Sequence, residues 1–218
     1  MNREIMNSIN QRKSIRKYAD REVTDELLTR LLQEAEHTPT MGNLQLYSVV
    51  VTRSKEMKEK LAPAHFNQPM VTGAPVVLTF CADYRRTSLW AENRKAAPGY
   101  DNFLSFINAA TDTLLYCQTF CNLAEEAGLG TCFLGTTFYM PQMIIDTLHL
   151  PRLTFPVATI TLGWPDENPA QSDRLPVEAI LHKETLAQIF TDIRYTRKDN
   201  EALSDGLIKT LRNQGFIK

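Results

Sequence analysis

Hydrophobic and polar positions change their period several times along this chain, and the changes mark its elements. The longest apolar stretch, residues 103–127, lacks Gly and Pro and is apolar on most helical faces, the pattern of a buried helix. Asn108, Asp112 and Gln118 interrupt it, which argues against a membrane span. Gly128 stands where a left-handed cap would close the helix. Residues 131–134 then read as a short buried strand that stops at the small pair Gly135-Thr136. Earlier, Thr24 caps a helix with Asp25 and Glu26 in its first turn, and Leu27, Leu28, Leu31, Leu32 and Ala35 give a 3.6-residue stripe. The β-branched runs 46–53 and 75–82 and the run 155–162 predict strands, the last ending in Gly163-Trp164-Pro165.

Shorter helices are expected over residues 55–61 and from Pro141, with Met143, Ile144 and Leu148 on its face. Residues 3–12 predict an amphipathic helix with Ile5, Met6 and Ile9 inward; 182–193 and 203–213 predict terminal helices, the latter stopped by Gly215. Residues 84–100 are polar and show no strong periodicity, so they are expected to run over the surface, as an excursion or a lid. Helices and strands mix without strict βαβ alternation, which predicts an α+β fold. With 218 residues and no internal repeat, one domain over 1–218 is expected, 183–218 forming C-terminal helices.

Composition narrows the function. The chain is 43% hydrophobic and 22% charged with a formal net charge of −1, and no basic run is interleaved with aromatics. Nucleic acid is therefore not an expected partner. The first residues hold no apolar signal core, so a cytoplasmic location is expected. Cys81, Cys117, Cys121 and Cys132 form no CxxC pair and the four His are scattered, so no metal is expected and buried reduced thiols are.

Three stretches carry candidate chemistry. In residues 12–18 (Arg-Lys-Ser-Ile-Arg-Lys-Tyr), Arg12, Ser14 and Arg16 alternate, so extended backbone would turn all three toward one anion. Residues 40–45, with Thr40, Gly42, Asn43 and Gln45, place small and amide-bearing residues at the mouth of a strand, suited to a polar heterocycle or to a plain connection. The loop His65-Phe66-Asn67-Gln68-Pro69 follows the 55–61 helix. No Ser-His-Asp or paired-carboxylate arrangement stands out.

Taken in order, Arg12-x-Ser14-x-Arg16-x-Tyr18, Pro39-Thr40-x-Gly42-Asn43-x-Gln45, Gly128-Leu129-Gly130-Thr131 with Leu134-Gly135, and Leu162-Gly163-Trp164-Pro165 resemble the FMN-dependent nitroreductase family. Cys81-Ala82-Asp83, the run 163–169 and Arg174-Leu175-Pro176 look most like its oxygen-insensitive, NADPH-preferring nitroreductase and flavin reductase branch. The resemblance spans about residue 3 to about residue 215.

It implies a mixed β-sheet flanked by helices, in a homodimer with FMN at the interface and the central helix as a main dimer contact. It further implies that Arg12, Lys13, Ser14 and Arg16 hold the FMN phosphate and ribityl chain, and that Thr40, Gly42, Asn43 and Gln45 belong to a loop reaching FMN across the interface. Gln68 would lie near the flavin ring, Leu134, Gly135 and Thr136 alongside it, and Arg174 on the phosphate. Arg16 or Lys13 would place a cation near the ring's N1 edge. The activity implied is hydride transfer from NADPH or NADH through FMN to a nitroaromatic, quinone or flavin acceptor, without a catalytic side chain of the protein's own.

Two departures are visible. Ser172 stands where the branch carries a lysine, and the branch's arginine-rich loop, linked to the NADPH 2′-phosphate, is reduced to residues 197–201, which puts NADPH preference in doubt. Other readings on the same residues are a reductive dehalogenation or flavin breakdown using 84–100 as a lid, and a flavin-binding redox sensor or partner-binding protein with Cys117 and Cys121 as its switch.

Overall fold

The computed structural model describes residues 9–186 and 200–217. Thr24 opens helix α1 (Asp25–Ala35) by accepting the Leu27 N–H, and the helix buries Leu28, Leu31 and Ala35. A one-turn 3₁₀ segment, Met41–Asn43, leads into strand β1 (Tyr47–Thr52). Helix α2 (Lys55–Leu61) is capped by Ser54 and runs into the 3₁₀ turn Ala62–His65 and the short helix α3 (Pro69–Gly73). Strand β2 (Val76–Asp83) is followed by helix α4 (Arg85–Asn93). The 24-residue helix α5 (Phe103–Glu126) starts from an Asn102 cap. Strand β3 (Gly130–Leu134), helix α6 (Pro141–Leu148), strand β4 (Thr154–Gly163), a 3₁₀ turn at Val177–Ala179 and helix α7 (Asn200–Asn213) complete the described chain.

The strands form one sheet in the order β1-β2-β4-β3, every neighbouring pair antiparallel. Gly130 pairs with Gly163, Val76 with Leu162 and Tyr47 with Ala82. Among the described residues, the parallel component of the expected mixed sheet is a single bridge, Ser14 to Thr131. One face of the sheet buries Leu78, Phe80, Ile160 and Leu162 against Tyr116, Cys117, Phe120 and Cys121 of α5, with α1 behind. On another side Val77, Cys132 and Leu134 meet Leu61, Val71 and Ile144. Strands with such runs of buried apolar residues are covered on both faces, which gives the layered α+β core expected from the pattern.

Gly128 adopts φ +85°, and Leu129 N–H returns to Ala124 O, so the helix ends where its glycine predicted. Four expectations differ from what is observed. Residues 85–93, expected to run over the surface without a clear period, form α4, because its inward face is made of Thr87, Ser88 and Ala91, which carry little hydrophobic signal. Helix α5 is not covered all round: Phe103, Leu104, Ile107, Leu114 and Leu115 stay exposed in one chain. Ile9, expected inward, is about half exposed. Of the helix expected over 182–193, residues 182–186 are not helical and the rest lies outside the described residues, as do residues 3–8 of the N-terminal helix.

Candidate functional site

Residues 12–18 lie in extended form beside β3. The Ile15 N–H donates to Thr131 O at 2.9 Å, and Ser14 bridges Thr131 in parallel register. Ile15 is buried under Gly130, where a Cβ would fall 2.6 Å from Ile15 Cβ, so only glycine lets the strip approach the strand this closely. Tyr18 locks the far end. Its hydroxyl donates to Ile15 O at 2.6 Å and receives the Thr161 hydroxyl at 2.6 Å, and burial raises its pKa further above the ordinary phenol value.

The segment after β4 holds the strip from outside. Glu167 Oε1 accepts the Arg16 N–H at 2.5 Å and the Lys17 N–H at 3.1 Å, which keeps this carboxyl below its usual range. The Gln171 amide donates to Asn10 O at 2.7 Å and to Arg12 O at 3.1 Å, and Lys13 Nζ donates to Asn168 Oδ1. Arg12 lies 3.7 Å from Glu125, whose carboxyl is raised by burial although the Thr131 hydroxyl and Arg12 oppose that. Burial likewise raises the Cys132 thiol, against the pull of Arg16 and Arg12. Among the described residues, no carboxylate lies within ion-pair distance of the Arg16 side chain. The cleft between the strip, Gly128–Gly130 and Glu167 holds about 260 Å³.

At the other end of β3, two loops are clasped together. His65 is fully buried, and its Nδ1 lies 2.8 Å from the Thr136 hydroxyl. Burial lowers its pKa to about 4, so the ring is neutral at physiological pH. Its Nε2 and the Gln68 Oε1 are buried atoms with no partner, and Gln68 N–H donates to His65 O at 3.1 Å. Leu134 and Thr136 are buried, and Gly135 between them is exposed, with nothing within 4 Å of where its Cβ would be.

The loop of residues 40–46 is anchored from α5. Asp112, 2% exposed, accepts from the Thr40 hydroxyl at 2.5 Å, Met41 N–H at 2.9 Å and Leu46 N–H at 3.4 Å. Thr40 Oγ1 in turn accepts the Gln45 N–H at 2.8 Å. Gly42, Asn43 and Gln45 all have φ between 53° and 57° and are exposed. The Arg86 guanidinium donates to the carbonyls of Gln45 and Tyr47.

The structure therefore lines Arg12, Lys13, Ser14 and Arg16 along one strand whose end carries Leu134, Gly135, Thr136 and, through His65, Gln68. The loop with Thr40, Gly42, Asn43 and Gln45 hangs from Asp112, apart from that line. Arg174 donates to Ser172 O and Asp173 O at 3.0 Å each and meets none of these groups. Sequence reasoning missed Asp112, His65 and Glu167. An aspartate inside an otherwise apolar helix was the one available signal.

No helix of the described residues is long and apolar enough to cross a membrane. A sequence model described as the nitroreductase family matches residues 9–164. A protein of Bacillus subtilis (strain 168) named FMN reductase (NAD(P)H) is 33% identical over 187 residues, 84% of this chain and 74% of its own. An oxygen-insensitive NADPH nitroreductase of Salmonella typhimurium is 28% identical over 171 residues, 78% of this chain and 70% of its own. A solved structure of a Bacteroides fragilis protein aligns with TM-score 0.94 at 51% identity, over 98% of this chain and 100% of that one.

Proposed function

Because this chain belongs to the nitroreductase family, we propose that it is an FMN-dependent reductase drawing on NADPH or NADH, with nitroaromatics, quinones or flavins as acceptors. FMN, when bound, supplies the ring that takes up a hydride from the nicotinamide and releases it to the acceptor. The chain's own task is to hold that cofactor, orient it and leave one face of the ring accessible.

The observation that carries the reading is the line of groups along β3. The Arg16 side chain has no carboxylate partner among the described residues, whereas Arg12 has Glu125 at 3.7 Å, so an anion beside the strip would meet Arg16 directly and Arg12 in competition with Glu125. Charge-assisted bonds of this kind suit a phosphate. At the strand's other end, the unpartnered Gln68 Oε1 and His65 Nε2 are buried polar atoms. Each costs about 1–3 kcal/mol while unpaired; Gln68, only half-buried, can turn its amide toward a heterocycle edge, whereas His65 stays enclosed by the chain. A five-residue strand spans about 14 Å at about 3.4 Å per step. Phosphate and ring groups therefore fall at separated places along one rigid element. In this reading Lys13, Gly135 and Thr136 flank the cofactor. Arg174 contributes only after leaving its present carbonyl partners.

One chain does not complete the site. The cleft of about 260 Å³ beside the strip takes in Arg12, Lys13 and Ile15 but not Ser14, Arg16 or the Leu134–Thr136 end of the line. The exposed apolar residues on α5 and the outward-facing loop 40–45 fit a homodimer in which that loop reaches the cofactor of the second copy. The redox-sensor alternative is disfavoured by its own cysteines. Cys117 and Cys121 are fully buried, and burial raises the Cys117 thiol well above its ordinary value, the reverse of a reactive thiol. Turnover of NADPH or NADH with a quinone decides between them: a reductase cycles, whereas a sensor consumes at most one equivalent of nicotinamide.

A further inference from the structure

The clasp between His65 and Thr136 also fixes two aromatic rings above it. Phe66 follows His65 directly, and Tyr139 donates its N–H to Thr136 O at 2.9 Å. The two rings lie 5.9 Å apart at an interplanar angle of 50°, inside the range of interacting aromatic pairs. Yet neither is buried: Phe66 is 56% exposed and Tyr139 38%. Phe66 and Asn67 both have φ 53°, a left-handed conformation that a bulky aromatic residue rarely adopts. Phe66 ends the 3₁₀ turn Ala62–His65 in left-handed form, its N–H donating to Pro63 O at 3.1 Å, and this turn end presents a large apolar ring to solvent. Left-handed strain of this kind persists where surrounding structure over-determines it, and such positions cluster at ligand sites. The strained turn also carries Gln68, with its unpartnered buried oxygen, two residues on. Tyr139 on its other side borders a cavity of about 510 Å³ together with Met140, Met143 and Lys209.

We propose that Phe66 and Tyr139 form an aromatic platform beside the reacting centre that selects flat aromatic acceptors over non-aromatic ones. The inference rests on the reductase reading above and adds to it the residues that set acceptor class. Two tilted, exposed rings offer free faces to a planar guest. The thioethers of Met140 and Met143 and the ammonium of Lys209, beside Asp146, line the cavity on the Tyr139 side of the pair, which does not reach Phe66. A nitroarene or quinone gains from each ring. A compact inorganic oxidant that accepts electrons without stacking gains nothing.

The test compares 1,4-naphthoquinone with ferricyanide as acceptors for the FMN-loaded protein and its Phe66→Leu, Tyr139→Leu and Phe66→Gly variants. Binding of 2-naphthoate, a flat aromatic that cannot take a hydride, is measured by calorimetry on the same proteins. Each leucine variant should lose about three- to tenfold in kcat/KM for the naphthoquinone and in affinity for naphthoate, with ferricyanide turnover unchanged. Phe66→Gly should show the same selective loss without a fall in Tm, because glycine takes this φ freely. An equal loss for both acceptors, or no loss for either, overturns the platform. A wild-type protein that binds naphthoate through these rings but turns over neither acceptor overturns the reductase reading instead.

Discussion

Ile15 fills the space where a side chain at position 130 would stand: a Cβ on Gly130 would fall 2.6 Å from Ile15 Cβ and 2.7 Å from Cγ1. This contact sets how near the basic strip lies to β3, and so where Ser14 and Arg16 are presented. Gly130→Ala should push Ile15 out of a buried position, at about 1–3 kcal/mol for overpacking. Flavin affinity should fall along with stability. Gly135→Ala, which meets nothing within 4 Å, should leave the denaturation midpoint unchanged. Equal midpoints for both variants would show that the strip yields at no cost.

Loop 40–46 depends on one buried carboxylate. Asp112→Ala removes the acceptor for Thr40, Met41 and Leu46, and a bond to a charged group contributes about 1.5–3 kcal/mol. Urea unfolding should record a loss of at least that size, since two backbone N–H groups lose their partner together. A change under about 0.5 kcal/mol, the size usual for a surface site, would mean that the loop is held by something else.

His65 gives stability a pH dependence of known sign. Its folded pKa of about 4 lies below the unfolded 6.5, so between those values the unfolded chain binds the extra proton. Its contribution is complete above pH 6.5 and declines as pH falls toward 4. At about 1.4 kcal/mol per unit, the wild type should lose about 2 kcal/mol more than His65→Gln between pH 7 and pH 5. Parallel stability curves for the two proteins would refute the assignment.

Much of the architecture was legible in the sequence, and what was not shares a physical character. The α1 stripe, the β-branched strands and the Gly128 cap are local patterns, and each stands where its pattern placed it. The alternation of Arg12, Ser14 and Arg16 carries meaning only on a strip laid along a strand, and the Ile15–Thr131 bond lays this strip beside β3. Helix α4 escaped notice because its buried face is Thr87, Ser88 and Ala91. The His65–Thr136 clasp joins residues 71 apart and leaves no periodic trace. Glu167, 151 residues from Arg16, is invisible for the same reason.

The exposed side of α5 carries the assembly prediction. Leu104 is 68% exposed and Leu115 43%, too much apolar surface for one helix face to leave in water without a partner. Leu115→Glu should halve the sedimenting mass and release flavin in the same experiment. A native monomer with full flavin content would separate cofactor binding from assembly and contradict the shared-site reading.

For nicotinamide choice the candidate cations Arg194, Arg197 and Lys198 lie outside the described residues, next in sequence to Asp199 and Glu201. Acidic neighbours at that spacing compete with a 2′-phosphate, and exposed pairs contribute on the order of 1 kcal/mol, screened by salt. A preference for NADPH of about tenfold that shrinks at high ionic strength is expected from kcat/KM ratios. A preference above about a thousandfold, insensitive to salt, would require a buried bidentate site.

The measurement closest to the central claim is the flavin content of the purified protein and of Arg16→Ala. The wild type should be yellow, with about one FMN per chain bound at micromolar protein. The variant should lose about 1.5–3 kcal/mol of binding, roughly ten- to 150-fold in Kd. A colourless wild-type protein that takes up no added FMN, or an Arg16→Ala variant that keeps it stoichiometrically with unchanged Kd, would contradict the account.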